Sequence, residues 1–410
     1  MHAPSSPSTA RRRLVGVDLA RCVALVGMIC THLADPRTQD GQVTGLQQLA
    51  GGRSAATFAV LAGVSLSLVT GGREPLRDIP MARARASLGV RALLIATLGL
   101  WLGGMPSGVA VILVYYGVLF VLALPFLALR ARTLALVAAG LAVVVPILGQ
   151  LVRPHLPDLV GQPTFASLGE PGALVWDVLL TGTYPTVPWL AYLLLGMSLG
   201  RLRLARTRVA TRLVLAGAVL AVAGWAVGYL VTRSTVVQEA LVRTEGRLPA
   251  EAWAALEQRL IDGLHGTTPT GSWWWLLVAA PHSATTFDLF HTAGSAMVVL
   301  GLCLLVARRW TRQWAVIGGA GAMTLTLYTT HVWVAANAVP RTVAYATQFH
   351  LVLVLVLGAV FAGARVKGPL EALVTTASRA TAAVMVGPTR PGDADHRLGP
   401  CPDPPADRAQ

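Results

Sequence analysis

The feature that most constrains this chain is a succession of ten apolar runs, each about as long as a helix that crosses a membrane. Only helices and closed barrels satisfy every backbone hydrogen bond inside lipid, and a helix needs about 20 apolar residues to span it. The 410 residues are 54% hydrophobic and 13% charged, with a mean hydropathy of +0.61, which excludes a water-soluble domain. The runs lie at 15–33, 54–70, 88–104, 109–128, 133–152, 184–200, 209–231, 287–306, 315–337 and 347–365. The sequence therefore predicts an all-α, polytopic membrane bundle of about ten transmembrane helices.

The arginines between these runs predict how the bundle is oriented. Every second connection is rich in arginine, and the connections between them contain almost none. Arginine-rich loops stay on the cytoplasmic side, so both termini are predicted to be cytoplasmic. Topology also explains the net charge of +14, and we expect no nucleic-acid partner. The predicted organisation is an N-terminal tail (1–13), a transmembrane domain (14–375) and a largely disordered C-terminal tail (376–410).

The first apolar run carries charged and titratable residues that a membrane helix normally lacks. Asp18 and Arg21 lie inside the run, where an unpaired charge costs a few kcal/mol or more, and His32 lies at its end. Arg21 and His32 are eleven residues apart and therefore share one helix face, about 16 Å apart along the axis. This line of polar groups suggests a path through the membrane. The alternative is that Asp18 and Arg21 only neutralise each other as a buried ion pair.

Most other histidines are predicted to face the extracytoplasmic side. Asp288 precedes His291 by three residues, a spacing that lets a carboxylate orient an imidazole, so both are candidates for a catalytic site. Aromatic side chains suit the apolar faces of sugars, although each one is also explained by interfacial anchoring. The candidate substrate-binding residues are His282, His331, Tyr115, Tyr184 and Trp189. No group of histidines and carboxylates has close metal-ligand spacing, so we expect no metal.

Two motifs resemble known membrane families. The first run, VGVDLARCVALVGMICTHL, resembles the first span of the heparan-α-glucosaminide N-acetyltransferase-like membrane proteins of bacteria. The ten residues between Arg21 and His32 match the Arg-x10-His spacing of the acyltransferase-3 membrane family. The segment KGPLEALV, which begins at Lys367, is similar to the close of a related multi-span family of unknown function. Cys22 stands where the motif usually has glycine, and no histidine lies between Ala34 and Pro154.

The resemblance implies an enzyme of the bacterial plasma membrane. Such an enzyme takes an acetyl or acyl group from cytoplasmic acyl-CoA and transfers it to an extracytoplasmic glycan or glycolipid. His32 is then the catalytic base, and Arg21, with its neighbour Asp18, binds the donor. Asp288 with His291, or His331, supplies orientation or stabilises the oxyanion. The alternatives are a proton-coupled transporter, in which these groups form a relay, and a structural or assembly protein.

Overall fold

The computed structural model describes residues 14–156, 161–244, 249–266 and 268–386. Within these ranges the chain is helical and forms no strand; the only pairing of extended backbone is an isolated bridge between Arg37 and Val43. The helices are α1 (Val15–Leu33), α2 (Gly45–Ala50), α3 (Arg53–Val69), α4 (Asp78–Gly103), α5 (Leu113–Ala123), α6 (Ala131–Val152), α7 (Pro171–Trp176), α8 (Thr186–Gly200), α9 (Thr207–Thr232), α10 (Thr235–Val242), α11 (Pro249–Asp262), α12 (Thr286–Arg309), α13 (Thr311–Ile317), α14 (Thr324–Asn337), α15 (Ala346–Gly363) and α16 (Pro369–Val386).

The predicted all-α, polytopic class is confirmed. Among the described residues, seven helical segments are long and apolar enough to cross a membrane, and α7–α8 form an eighth if that bent pair is one span. The predicted run at 109–128 contains a shorter apolar helix over Leu113–Phe126. Helix α16 crosses the predicted domain boundary at 375 and ends at Val386. The tails 1–13 and 387–410 lie outside the described residues.

The run predicted at 315–337 is broken into α13, a 3-10 turn and α14. The turn is the sequence GGAGA, Gly318–Ala322. A Cβ atom at Gly321 would collide with the carbonyl oxygen of Asp18 on α1, and one at Gly319 with the carbonyl oxygen of Gly358 on α15. The glycines therefore allow the turn to pack directly on two helix backbones. This contact starts α14 in the interior, beside α1.

Helix α1 lies at the centre of the bundle. It packs against α3, α12 and the Gly318–Ala322 turn, and Ala20, Leu25 and Ile29 are fully buried. Helix α9 is peripheral by contrast, with Val219 and Leu230 about 70% exposed, as expected for a helix that faces lipid. The polar residues of α1 therefore face protein rather than hydrocarbon.

A small second core supports the connection between α9 and α12. Leu241 of α10, Leu256 of α11 and the fully buried Trp275 belong to it. An ion pair of 3.3 Å between Arg37 and Asp262 joins this connection to the loop that follows α1. The connection is thus a packed unit, and it holds His265 and His282 over the outer end of the bundle.

Candidate active site

Three histidines from three helices form one hydrogen-bonded chain. Nδ1 of His32 (α1) lies 3.2 Å from Nε2 of His331 (α14), and Nδ1 of His331 lies 2.9 Å from Nδ1 of His350 (α15). Nε2 of His350 lies 3.0 Å from the carbonyl oxygen of Val339. His331 and His350 are fully buried, whereas His32 is half-buried. The chain therefore runs from an accessible imidazole into the protein interior.

The carbonyl at the buried end determines the tautomer of each neutral histidine. The oxygen of Val339 can only accept, so His350 carries its proton on Nε2 and accepts on Nδ1. His331 must then donate from Nδ1 and accept on Nε2, and His32 must donate from Nδ1. Nε2 of His32 keeps its lone pair, and it has no hydrogen-bond partner among the described residues. An imidazole held in this way is prepared to accept a proton.

A cavity of about 950 Å³ lies beside α1. Its lining includes four cationic residues, Arg21, Arg91, Arg365 and Lys367, and also Met28, Tyr116 and Tyr328. Arg365 and Lys367 are exposed and follow α15, on the side predicted to be cytoplasmic. Met28 is one helical turn before His32, and the rings of Tyr328 and His32 meet edge to face at 6.5 Å. His32 is not itself among the lining residues, and Met28 and Tyr328 are the parts of the cavity wall that lie next to it.

Arg21 forms the predicted ion pair with Asp18 and also lines the cavity, so its role in donor binding stays a prediction. It donates to Oδ1 of Asp18 at 3.2 Å and to Oγ of Ser65, and it also lines the cavity. Asp18 is buried and is not among the cavity-lining residues. The carboxylate thus holds the guanidinium in place at the cavity wall, and Arg21 is the member of the pair that a ligand could reach.

Glu371 connects the C-terminal helix to this site. Its carboxylate accepts from the backbone N–H of Leu325 at 2.7 Å and from the hydroxyl of Thr326 at 2.6 Å. These contacts cap the start of α14, which carries Tyr328 and His331 within its next two turns. Glu371 itself lines the cavity. The segment KGPLEALV therefore contributes to both the cavity wall and the support of the histidine chain.

The predicted aromatic residues gather on the side of the bundle that is predicted to be extracytoplasmic. His282 stacks on Trp189 and on His265, with ring centroids 6.4 Å and 5.4 Å apart, and its ring meets that of Tyr184 edge to face at 5.6 Å. Tyr184 in turn contacts Tyr115. Nδ1 of His282 is buried and has no hydrogen-bond partner within the described chain. These residues form the outer aromatic cluster: Tyr115, Tyr184, Trp189, His265 and His282.

The loop that carries the two cluster histidines has an unusual backbone. His265, His282 and Ala284 have φ values of +44°, +55° and +54°, in the left-handed region that residues with a Cβ rarely adopt. Burial lowers the pKa of His282 to about 3, and neighbouring His265 and His32 add to the effect. Burial also lowers the pKa of His265, against the raising effect of Asp262. Both imidazoles are therefore neutral near pH 7.

The predicted interaction between Asp288 and His291 is absent, and that expectation was wrong. Asp288 accepts from the backbone N–H of Ala284 at 3.0 Å, in the loop just before α12, and its own N–H donates to the N-cap hydroxyl of Thr285. Nδ1 of His291 donates to the carbonyl oxygen of Ala221 at 2.8 Å, and its Nε2 accepts from Nε of Arg53 at 2.9 Å. Both ring nitrogens of His291 are thus occupied, and Asp288 is a helix cap.

Sequence reasoning missed several residues of the site. The sequence places His350 near the outer edge and Tyr116 beside Tyr115, but it singles out neither as a site residue. Arg91, Tyr328 and Glu371 belong to spans or motifs that the sequence marked, yet nothing local indicated that they share a cavity. No group of three or more metal-ligating side chains converges in the part of the chain that the structure describes.

The fold and this geometry define a polytopic membrane protein with a cavity whose wall includes Tyr328, the ring that meets His32 edge to face. The family model for heparan-alpha-glucosaminide N-acetyltransferase, catalytic, matches residues 13–235, more than half of the chain. The chain therefore belongs to the heparan-alpha-glucosaminide N-acetyltransferase catalytic family, a family of membrane acetyltransferases. A comparison with curated proteins gives no match. The matched region contains His32 and three residues of the outer aromatic cluster, Tyr115, Tyr184 and Trp189. His331, His350 and Tyr328 lie outside it.

Proposed function

We propose that this protein transfers an acetyl group from cytoplasmic acetyl-CoA, or another acyl-CoA, to an amine or hydroxyl of an extracytoplasmic sugar or glycolipid in the bacterial plasma membrane. The observation that carries the proposal is the cavity that begins at exposed cations and approaches His32, whose Nε2 keeps its lone pair. The two substrates would reach the reacting atoms from opposite sides of the membrane.

The charge of the cavity supports an acyl-CoA donor. Coenzyme A carries its phosphates at the nucleotide end, and guanidinium and ammonium groups are the usual partners of phosphate. Arg365 and Lys367 line the cavity and follow α15 on the side predicted to be cytoplasmic, and Arg91 lines it from within α4. The neutral pantetheine arm could follow the apolar wall from Arg21 towards Met28. By helix geometry, Arg21 and His32 are about 16 Å apart along α1, a distance that an extended arm can cover.

The histidine chain supports a general-base step. Nε2 of His32 would take the proton from the acceptor as it attacks the thioester carbonyl carbon. The imidazolium that forms keeps its Nδ1–H bond to His331, so the new charge has a fixed partner. The same proton would then pass to the sulfur of the departing CoA.

The outer aromatic cluster supports a sugar acceptor. The rings of Tyr184 and Trp189 are buried against their neighbours, so the support comes from His282: its buried, unpartnered Nδ1 needs a polar partner that a hydroxyl or amine could supply. Transport is the less favoured function. The histidine chain ends on the carbonyl oxygen of Val339, which takes no proton onward, so the chain is not a continuous proton relay.

The first test measures acetyl transfer by the purified full-length protein in lipid nanodiscs. With radiolabelled acetyl-CoA and glucosamine as the acceptor probe, we expect CoA release and labelled product. Lys367→Ala should raise the KM for acetyl-CoA about tenfold and leave kcat nearly unchanged, because one phosphate contact is lost. Arg212→Ala, which removes an exposed arginine outside the cavity, is the matched control. Absence of turnover with amine and hydroxyl sugars, together with no binding of acetyl-CoA, would contradict the proposal.

A further inference from the structure

Two tyrosines from different helices line the cavity near His32. Tyr116 belongs to α5 and Tyr328 to α14, and both are more than nine-tenths buried. Tyr328 lies one helical turn before His331, and its ring is the cavity-lining group that contacts the ring of His32. Neither tyrosine is needed for the base or for the cationic end of the cavity. Their position is where the acyl end of a bound donor would lie.

The hydroxyl of Tyr116 is unsatisfied. Its Oη atom is buried and has no hydrogen-bond partner among the described residues. A phenol left without a partner costs about 1–3 kcal/mol, so such groups are rare unless a ligand completes them. The Tyr116 ring is held edge to face against Phe120 at 6.1 Å, which limits its movement. The phenol is therefore an unused donor on a residue that lines the cavity.

The hydroxyl of Tyr328 is also able to donate. Its Oη accepts a hydrogen bond of 3.3 Å from the backbone N–H of Ile112. Since that contact uses only a lone pair, the hydroxyl proton remains available. Glu371 caps the helix that carries Tyr328 and so helps to fix the position of this phenol. Tyr116 and Tyr328 therefore line the same cavity, and each has a hydroxyl proton that no described residue accepts.

We propose that Tyr116 and Tyr328 form the oxyanion hole of the transfer reaction; the inference rests on the proposed function. The acceptor nitrogen or oxygen forms a bond to the thioester carbon, and the carbonyl electron pair moves onto oxygen, where both phenols donate to it. His32 takes the acceptor proton. When the carbonyl re-forms, the C–S bond breaks, and the proton moves from His32 to the thiolate. The products are the acetylated acceptor and CoA.

The kinetic test compares Tyr116→Phe, Tyr328→Phe and the double variant with the wild type. Each single change removes one donor and keeps the ring, so we expect kcat to fall about 10- to 100-fold, with the KM and the Kd for acetyl-CoA within about twofold. Tyr192→Phe is the matched control, because its buried hydroxyl pairs with Thr292 at 2.6 Å and lies outside the cavity. Its kcat should remain within about threefold of the wild type.

A spectroscopic test separates catalysis from folding. In a His32→Ala background, which slows turnover, acetyl-CoA labelled with ¹³C at the carbonyl is bound and its C=O stretch is measured by difference infrared spectroscopy. Donation by the two phenols lowers this frequency, and Tyr116→Phe or Tyr328→Phe should raise it towards the value in water-free solvent. An unchanged frequency, or wild-type kcat in the double variant, overturns the oxyanion assignment. If the wild type itself neither binds nor turns over acetyl-CoA, the proposed function has failed instead.

Discussion

His32 and His291 lie on two helices, α1 and α12, that pack against each other, yet their surroundings differ in one decisive way. His32 uses only Nδ1, which donates to His331, and its Nε2 keeps a lone pair. His291 uses both nitrogens, one towards Ala221 and the other towards Arg53. A histidine can act as a base only with a lone pair that its neighbours leave open. His32 and His291 are both predicted to lie towards the outer side of the membrane, and they differ in their hydrogen-bond partners.

The largest expected effect comes from replacing each histidine with alanine. His32→Ala should lower kcat by a factor of about 10² to 10⁴, because the proposed base is lost. His291→Ala should lower kcat less than tenfold and destabilise the fold, because Nε of Arg53 loses its acceptor. Acetyl transfer and thermal unfolding in nanodiscs measure the two effects. Equal losses of kcat in both variants, at equal stability, would remove the distinction between them.

The next effect tests the tautomer that His331 imposes. His331→Ala removes the acceptor of the His32 Nδ1–H group, so His32 can rotate or carry its proton on Nε2. We expect kcat to fall about tenfold, the size of one lost hydrogen bond of about 1–1.5 kcal/mol, with little change in the KM for acetyl-CoA. His331→Gln, whose amide oxygen can accept, should recover part of the loss. If His331→Ala and His331→Gln both keep the kcat and the pH–rate profile of the wild type, His331 only fills space.

The effect of His350 should be smaller, because it acts through His331. His350→Phe keeps an aromatic ring but removes the acceptor for His331 Nδ1–H, so the chain loses its fixed direction. We expect a loss of kcat of about three- to tenfold. The double variant with His331→Ala should lose no more than His331→Ala alone, because both changes break one chain. Additive losses in this double-mutant cycle would contradict a connected chain.

The smallest expected effect concerns pH and the neutral His282. Its pKa in the folded protein is about 3, below the usual 6.5 of histidine, so the unfolded state binds more protons between these values. Stability is therefore fully present above about pH 6.5 and is lost as the pH falls towards 3. In His282→Gln, the unfolding temperature should change less steeply between pH 7 and pH 4. A slope equal to that of the wild type would argue against a buried neutral imidazole.

The sequence predicted the positions of the helices far better than the contacts between them. Helix α1 has the predicted bounds, Val15 to Leu33, because span length depends on local apolar content. The break at Gly318–Ala322 was not predicted, since it depends on backbones of α1 and α15 approaching the glycines. Bonding of His32 to His331 joins residues 299 positions apart, and no local pattern encodes that contact. For Asp288, the i,i+3 spacing predicted a contact with His291, but its carboxylate accepts from the backbone N–H of Ala284 instead.

The cap that Glu371 places on α14 has a consequence for how this protein can be divided. The segment after α15 is far from His32 in sequence, and it lies outside residues 13–235. It nevertheless anchors the helix that bears Tyr328 and His331. A truncated protein that ends before Glu371 would keep all of α1, including His32, but it would lose the cap on α14, which carries His331. The functional domain of this protein therefore extends at least through Glu371, well beyond residues 13–235, which match the family.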